Sequence, residues 1–224
     1  MSFSFLHSVG SNVELFSQIL EGSDKAPVQH VVRNDLLQAV TAKGQIDGPL
    51  GEDIAKAITD TVEDVDMVLL TCSSLSPVAD QLKGEGVAVE RTDGLLASAV
   101  FADALASGAG ARLVVLVAAP TTVEPTRSLF ERYRKDMGAE GVGLDVVLLP
   151  GVWDVFLAGD LEGYKAALAK AIDAFLTQSE DVSHVALGQA SMGPALALSK
   201  HPKAAEVWTV AGATRDFLVA SDKA

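Results

Sequence analysis

The sequence predicts an α/β fold of two pseudo-symmetric lobes, each a parallel sheet flanked by helices, with an active-site cleft between them. Three observations predict it. Short runs rich in Val and Leu alternate with helix-length stretches along the whole chain. Several of those runs are almost continuously apolar, as strands covered on both faces of a parallel sheet are. One helix-strand-turn segment also occurs twice.

Taken in order, strands are expected at Phe3 to Leu6, Pro27 to Val32, Met67 to Thr71, Val87 to Val89, Leu113 to Val117, Leu144 to Leu149, His184 to Leu187 and Val207 to Val210. Each is a short apolar run bounded by polar or turn-forming residues. Helices are expected at Gly51 to Glu63, Thr92 to Ser107, Val123 to Met137 and Leu161 to Gln178, where the stretches are too long for strands. A further helix is expected to start near Ser76-Pro77, because proline is well tolerated in a first helical turn. Gly84-Glu-Gly86 and Gly108-Ala-Gly110 read as turns.

The repeat pairs Val65-Asp-Met-Val-Leu-Leu-Thr-Cys72-Ser-Ser-Leu-Ser-Pro77 with Val182-Ser-His-Val-Ala-Leu-Gly-Gln189-Ala-Ser-Met-Gly-Pro194, at a constant offset of 117 residues. Val65, Val68, Leu70, Ser74 and Pro77 match Val182, Val185, Leu187, Ser191 and Pro194. Upstream, Ile54-Ala-Lys-Ala-Ile58 matches Leu168-Ala-Lys-Ala-Ile172, with a three-residue insertion before Glu63-Asp64 and Glu180-Asp181. Ser11-Asn-Val-Glu14 pairs more weakly with Thr121-Thr-Val-Glu124. The repeat is too long for a solenoid unit. It implies a first lobe over residues 1–95 plus 208–224 and a second over 96–207.

Composition bounds the function. The chain has 224 residues, 49% of them hydrophobic, and 17 basic against 30 acidic side chains for a formal charge of −13. A surface this negative repels phosphate backbones and anionic lipid, so neither nucleic acid nor membrane is expected as a partner. A single cysteine rules out an intrachain disulfide and suits the reducing cytoplasm. The amino terminus lacks the features of a signal peptide, and the longest apolar runs fall short of the ~20 residues of a spanning helix. A cytoplasmic protein is expected. The four histidines show no metal-ligand spacing, and there is no dinucleotide fingerprint, phosphate-binding loop or nucleophile elbow.

Ligands of open parallel sheets bind beyond the carboxyl ends of the strands. Four polar loops hold such positions: His7-Ser8 through Ser11-Asn12, Cys72-Ser73-Ser74, Thr121-Thr122, and Gln189-Ala190-Ser191. Cys72 follows a buried strand and precedes a helix start. Backbone N–H groups and hydroxyls there are expected to stabilise a thiolate, lower its pKa, and hold a carboxylate or enolate. A buried structural cysteine is the competing reading. Gln189, the repeat twin of Cys72, can exchange hydrogen bonds but no proton. Ser191 is the twin of Ser74. Thr121 and Thr122 either bind substrate or cap the helix entering at Val123. His7, at the end of the first strand, either contacts ligand or is structural.

These residues carry a resemblance. Leu70-Thr-Cys72-Ser-Ser resembles the first cysteine motif of the aspartate/glutamate/hydantoin racemase superfamily, and Ala119-Pro-Thr-Thr122-Val its mid-chain Thr-Val loop. His7-Ser8 falls where that family carries an acidic or polar pair, and Leu187-Gly-Gln189-Ala-Ser-Met192 stands at its second cysteine motif. The resemblance implies two α/β lobes and a cofactor-independent isomerase of amino acid metabolism, acting beside the carboxylate of a small amino acid or organic acid. In such racemases one cysteine removes the α-proton and the other delivers a proton to the opposite face. Here the second position is Gln189, so symmetrical two-thiol chemistry is excluded. The resemblance implies Cys72 as the catalytic residue, either acid/base or nucleophile, with a bound water or His7 as candidates to serve the opposite face. Ser73, Ser74, Thr121, Thr122, Gln189, Ala190, Ser191, His7 and Ser8 are then the substrate-binding residues, with no metal and no cofactor. A one-cysteine decarboxylase or lyase, or a non-catalytic carboxylate-binding or regulatory protein, are the alternatives. Self-association into a homo-oligomer is left open.

Overall fold

The computed structural model describes residues 1–108, 110–179 and 181–221. Ala109 of the Gly108-Ala-Gly110 turn, Glu180 of the repeat and residues 222–224 of the expected first-lobe tail lie outside the described residues. The chain divides into two compact units, Met1–Leu95 together with the chain from Thr214, and Leu96–Ala213.

The first unit contains β1 (Phe3–His7), α1 (Ser11–Gln18), β2 (His30–Val32), α2 (Asn34–Lys43), α3 (Gly48–Val62), β3 (Met67–Leu70), α4 (Ser76–Gly84) and β4 (Val89–Arg91). Helix α5 (Thr92–Ala106) leads into the second unit, with β5 (Arg112–Val117), α6 (Val123–Asp136), β6 (Gly143–Leu148), α7 (Val152–Leu157), α8 (Leu161–Gln178), β7 (His184–Leu187) and β8 (Trp208–Thr209). Helix α9 (Val210–Ala220) returns the chain to the first. The eight expected strands all form, within a few residues of their expected ends. The return to the first unit comes later than expected at 208, because β8 pairs with β7 and so belongs to the second sheet.

Each unit holds a four-stranded parallel sheet, ordered β2-β1-β3-β4 and β6-β5-β7-β8. The two orders are the same, and so is the register of the central strands: Leu6 pairs with Leu70 as Leu116 pairs with Leu187. The repeat found in the sequence is therefore a repeat of topology. Central strands β1, β3, β5 and β7 carry the nearly continuous apolar runs and are almost wholly buried. Helix packing supplies the cover. On α3, Ile54, Ala57, Ile58 and Thr61 recur at helical spacing and are buried, and the Asp47 carboxylate caps the helix by accepting from the Leu50 N–H at 3.1 Å. Buried Leu168, Ala169, Ile172 and Leu176 do the same for α8, which Asp160 caps.

The repeat diverges after β3 and β7. Pro77 lies in the first turn of α4, where a missing N–H costs nothing. Its counterpart Pro194 falls inside the segment Ala190–Leu198, which runs as a 3-10 helix instead of an α-helix. Among the described residues no helix is long and apolar enough to cross a membrane.

Candidate active site

In the first unit, β1 and β3 end side by side, which brings His7 next to Thr71 and Ser8 next to Cys72. The Ser8 hydroxyl and the backbone N–H groups of Leu75 and Ser74 lie near the Cys72 sulfur as donors that favour its thiolate form. The turn that carries those amides is tight: the Leu75 N–H donates to the Cys72 carbonyl at 3.2 Å, and the Ser76 hydroxyl to the same carbonyl at 2.9 Å. Cys72 is only 7% exposed and packs in the first unit's apolar core with Leu6, Leu75 and Val78.

The expectation of a lowered thiol pKa is overturned. Burial pushes the Cys72 thiol up and outweighs the three donors, and the negative charge of Asp93 adds to the rise. The donors are those the sequence suggested, yet desolvation of the thiolate is the larger effect.

His7 is fully buried and both of its ring nitrogens have partners within the unit. Nδ1 meets the Thr71 hydroxyl at 2.8 Å, and Nε2 meets Nδ1 of His30 at 2.8 Å. His30 in turn reaches the Ser17 hydroxyl at 3.2 Å, and Asn12 donates to Thr71 Oγ1 at 3.2 Å. The two imidazoles stack on each other and on Phe5. Burial, and the nearby His30, hold the His7 pKa down at about 3, so its ring is neutral.

On the other side of β3, Arg91 forms a buried ion cluster that sequence reading did not single out. Its guanidinium grips Asp93 through two bonds of 2.7 and 2.9 Å and reaches Asp80 at 2.6 Å. Burial alone would depress the Arg91 pKa, but the two carboxylates raise it well above its ordinary value. Nothing local announces the part of Asp80 in this cluster or the His7-His30 pair, because each joins residues on different elements. The Arg91-x-Asp93 spacing at a strand end was the one available signal.

In the second unit, Gln189 occupies the place that Cys72 holds in the first. Its Oε1 accepts from the backbone N–H groups of Ala118 at 2.7 Å and Ala119 at 3.1 Å, with the Thr122 hydroxyl 3.4 Å away. Gly188 makes this approach possible, since a Cβ there would stand 3.1 Å from methyls of both Val115 and Val117. Thr122 does not cap α6 with its side chain; its hydroxyl turns back to the Ala119 carbonyl at 2.7 Å. Thr121 is exposed, Ala190 opens the 3-10 segment, and Ser191 lies 3.4 Å from the Tyr164 hydroxyl. Ser73 is half-buried and Ser74 exposed.

No protein-family model matches the chain, and no curated protein matches it in sequence. Solved structures do. A glutamate racemase from Bacillus anthracis superposes with a TM-score of 0.66 at 14% identity, over 99% of this chain and 82% of that one. The aspartate racemase of Picrophilus torridus gives 0.62 at 13% identity, over 100% of this chain and 95% of its own. The fold is that of the amino-acid racemases. An allantoin racemase from Pseudomonas fluorescens shares this racemase fold with a TM-score of 0.52 and 16% identity, covering 100% of this chain and 91% of its own. On the racemase fold seen here, the first of two matched strand ends carries a sulfur and the second a carboxamide.

Proposed function

We propose that this chain is an atypical member of the aspartate/glutamate/hydantoin racemase superfamily. In this reading it is a cofactor-independent isomerase acting at the carbon beside the carboxylate of a small amino acid or organic acid. The observation that carries the reading is the Cys72 sulfur at the carboxyl end of β3, with three hydrogen-bond donors turned toward it on a racemase fold. The Cys72 thiolate takes the α-proton, and the C–H electron pair moves into the carboxyl group to form an enediolate. Water delivers a proton to the opposite face of that carbon, which inverts it, and the Cys72 thiol gives its captured proton to the hydroxide left behind. Ser8, Ser73, Ser74 and the neighbouring N–H groups stabilise the charge that develops on oxygen, an effect of roughly 2.7–4 kcal/mol per donor in other enzymes. Thr121, Thr122, Gln189, Ala190 and Ser191 position the substrate. His7 supports Thr71, next to the sulfur, through its Nδ1.

A second reading is favoured by the raised thiol pKa. A thiol that stays protonated is better suited to giving a proton than to taking one. A one-cysteine decarboxylase or lyase uses it so: carbon dioxide departs, the C–C electron pair forms the enediolate, and the thiol protonates the carbon. A non-catalytic carboxylate-binding protein keeps the donors and does no chemistry.

One experiment separates the three. The protein is incubated in heavy water with a panel of amino, hydroxy and malonate-type acids, and α-deuterium uptake and carbon dioxide release are followed. Isomerase chemistry gives Cys72-dependent deuterium uptake without gas. Decarboxylation gives Cys72-dependent gas. Thermal stabilisation by a panel member that survives Cys72→Ala, with no turnover, marks a binding protein and sinks the enzymatic reading.

A further inference from the structure

The Gln189 side chain folds back onto its own unit. Two consecutive backbone N–H groups, those of Ala118 and Ala119, point at its Oε1 from 2.7 and 3.1 Å. The Thr122 hydroxyl contributes little to that oxygen, because its proton goes to the Ala119 carbonyl at 2.7 Å while Oε1 is 3.4 Å away. Successive amides converging on one oxygen form the concave donor arrangement that binds anions. Such donors bond a carboxylate about twice as strongly as a neutral acceptor. The oxygen they now hold belongs to a neutral carboxamide on a rotatable, half-buried side chain. Gly188 and the packed ends of β5 and β7 fix the amides themselves.

We infer that Ala118 and Ala119 form an oxyanion site for the carboxylate of a small acid, and that the Gln189 carboxamide is its tethered, displaceable occupant. At the matched place in the first unit, Ser8 stands where Ala118 stands and turns its hydroxyl to the Cys72 sulfur. The same strand end therefore serves the sulfur in one copy and oxygen in the other. The inference rests on the proposed function only in taking that carboxylate to be the substrate's.

Two variants test it without any turnover assay. Gln189→Glu places a carboxylate on the same tether. Its pKa, followed by carbon-13 NMR, is expected about one unit or more below the ordinary value of ~4.3, with the Ala118 and Ala119 amide protons moving downfield as it ionises. An ordinary or raised pKa overturns the site. Gln189→Ala removes the occupant. Sodium acetate at fixed ionic strength is expected to shift the Ala118 and Ala119 amide signals saturably, at about tenfold lower concentration than in the wild type, while acetamide does not. Equal acetate affinities in the two proteins, or no saturable shift in either, overturn the tethered-occupant reading. The Glu variant keeps the inference falsifiable if the Ala variant fails to fold. Failure of these titrations leaves Cys72 chemistry untouched, and failure of the heavy-water experiment leaves the oxyanion site standing.

Discussion

Around Cys72, burial and hydrogen bonding act on the thiol in opposite directions, and burial is the larger. Alkylation by iodoacetamide should therefore be slow at neutral pH and accelerate only above pH ~9, the ordinary thiol range or higher. Ser8→Ala removes one of the donors and should slow it several-fold further at a given pH. Rapid alkylation of the wild type at pH 7 would contradict both statements. His7 supplies a separate pH dependence. Its ring is neutral in the folded chain, with a pKa of about 3 against 6.5 for the unfolded value. Because the unfolded chain binds the proton first, this contribution is fully present above pH 6.5 and is lost as pH falls from there toward 3. Urea unfolding should show a loss of ~2 kcal/mol on going from pH 7.5 to pH 5, and His7→Leu should flatten that slope. Cys72 and Gln189 were legible in the sequence because a repeat singled them out. The Thr71-His7-His30-Ser17 chain was not, since its members stand up to 64 residues apart and meet only when β1, β2 and β3 align.

Elements place these residues, and two contacts between elements can be tested directly. Gly188 lets the end of β7 close against β5. Gly188→Ala sets a methyl 3.1 Å from Val115 and Val117, and should cost ~1–3 kcal/mol by overpacking while weakening the bonds from Ala118 and Ala119 to Gln189. Arg91 ties β4, α4 and the start of α5 together through Asp80 and Asp93. Arg91→Leu leaves the Asp93 carboxylate buried without its cation and should lower the unfolding free energy by ~3–5 kcal/mol. Denaturant titration reads both. The strands were foreseen to within a few residues because continuous Val and Leu runs leave little choice in a two-sided parallel sheet. Helices α1, α2, α7 and α9 did not show in the sequence: the first three have only 8, 10 and 6 residues, and α9 follows β8 directly, with no turn between them. The segment Ala190–Leu198 departs from its repeat twin at its proline: Pro194 lies inside the 3-10 helix, whereas Pro77 lies in the first turn of α4.

At the scale of the whole molecule the dominant quantity is charge. With a formal charge of −13, the protein repels the anions its proposed chemistry requires. Capture of a carboxylate then depends on short-range neutral donors, and added salt should help by screening the repulsion. If the protein turns over an anionic acid, its KM should fall several-fold between 10 and 200 mM sodium chloride, while the amide of the same acid should show no such trend. The duplicated architecture was legible because both copies kept their strand order and their Leu-to-Leu register. The replacement of sulfur by a carboxamide in the second copy bears on handedness. A carboxamide has no proton to give near neutral pH, so inversion takes its second proton from water. In deuterated solvent the mirror-image form should therefore carry a full label, and should appear more slowly than the starting form exchanges.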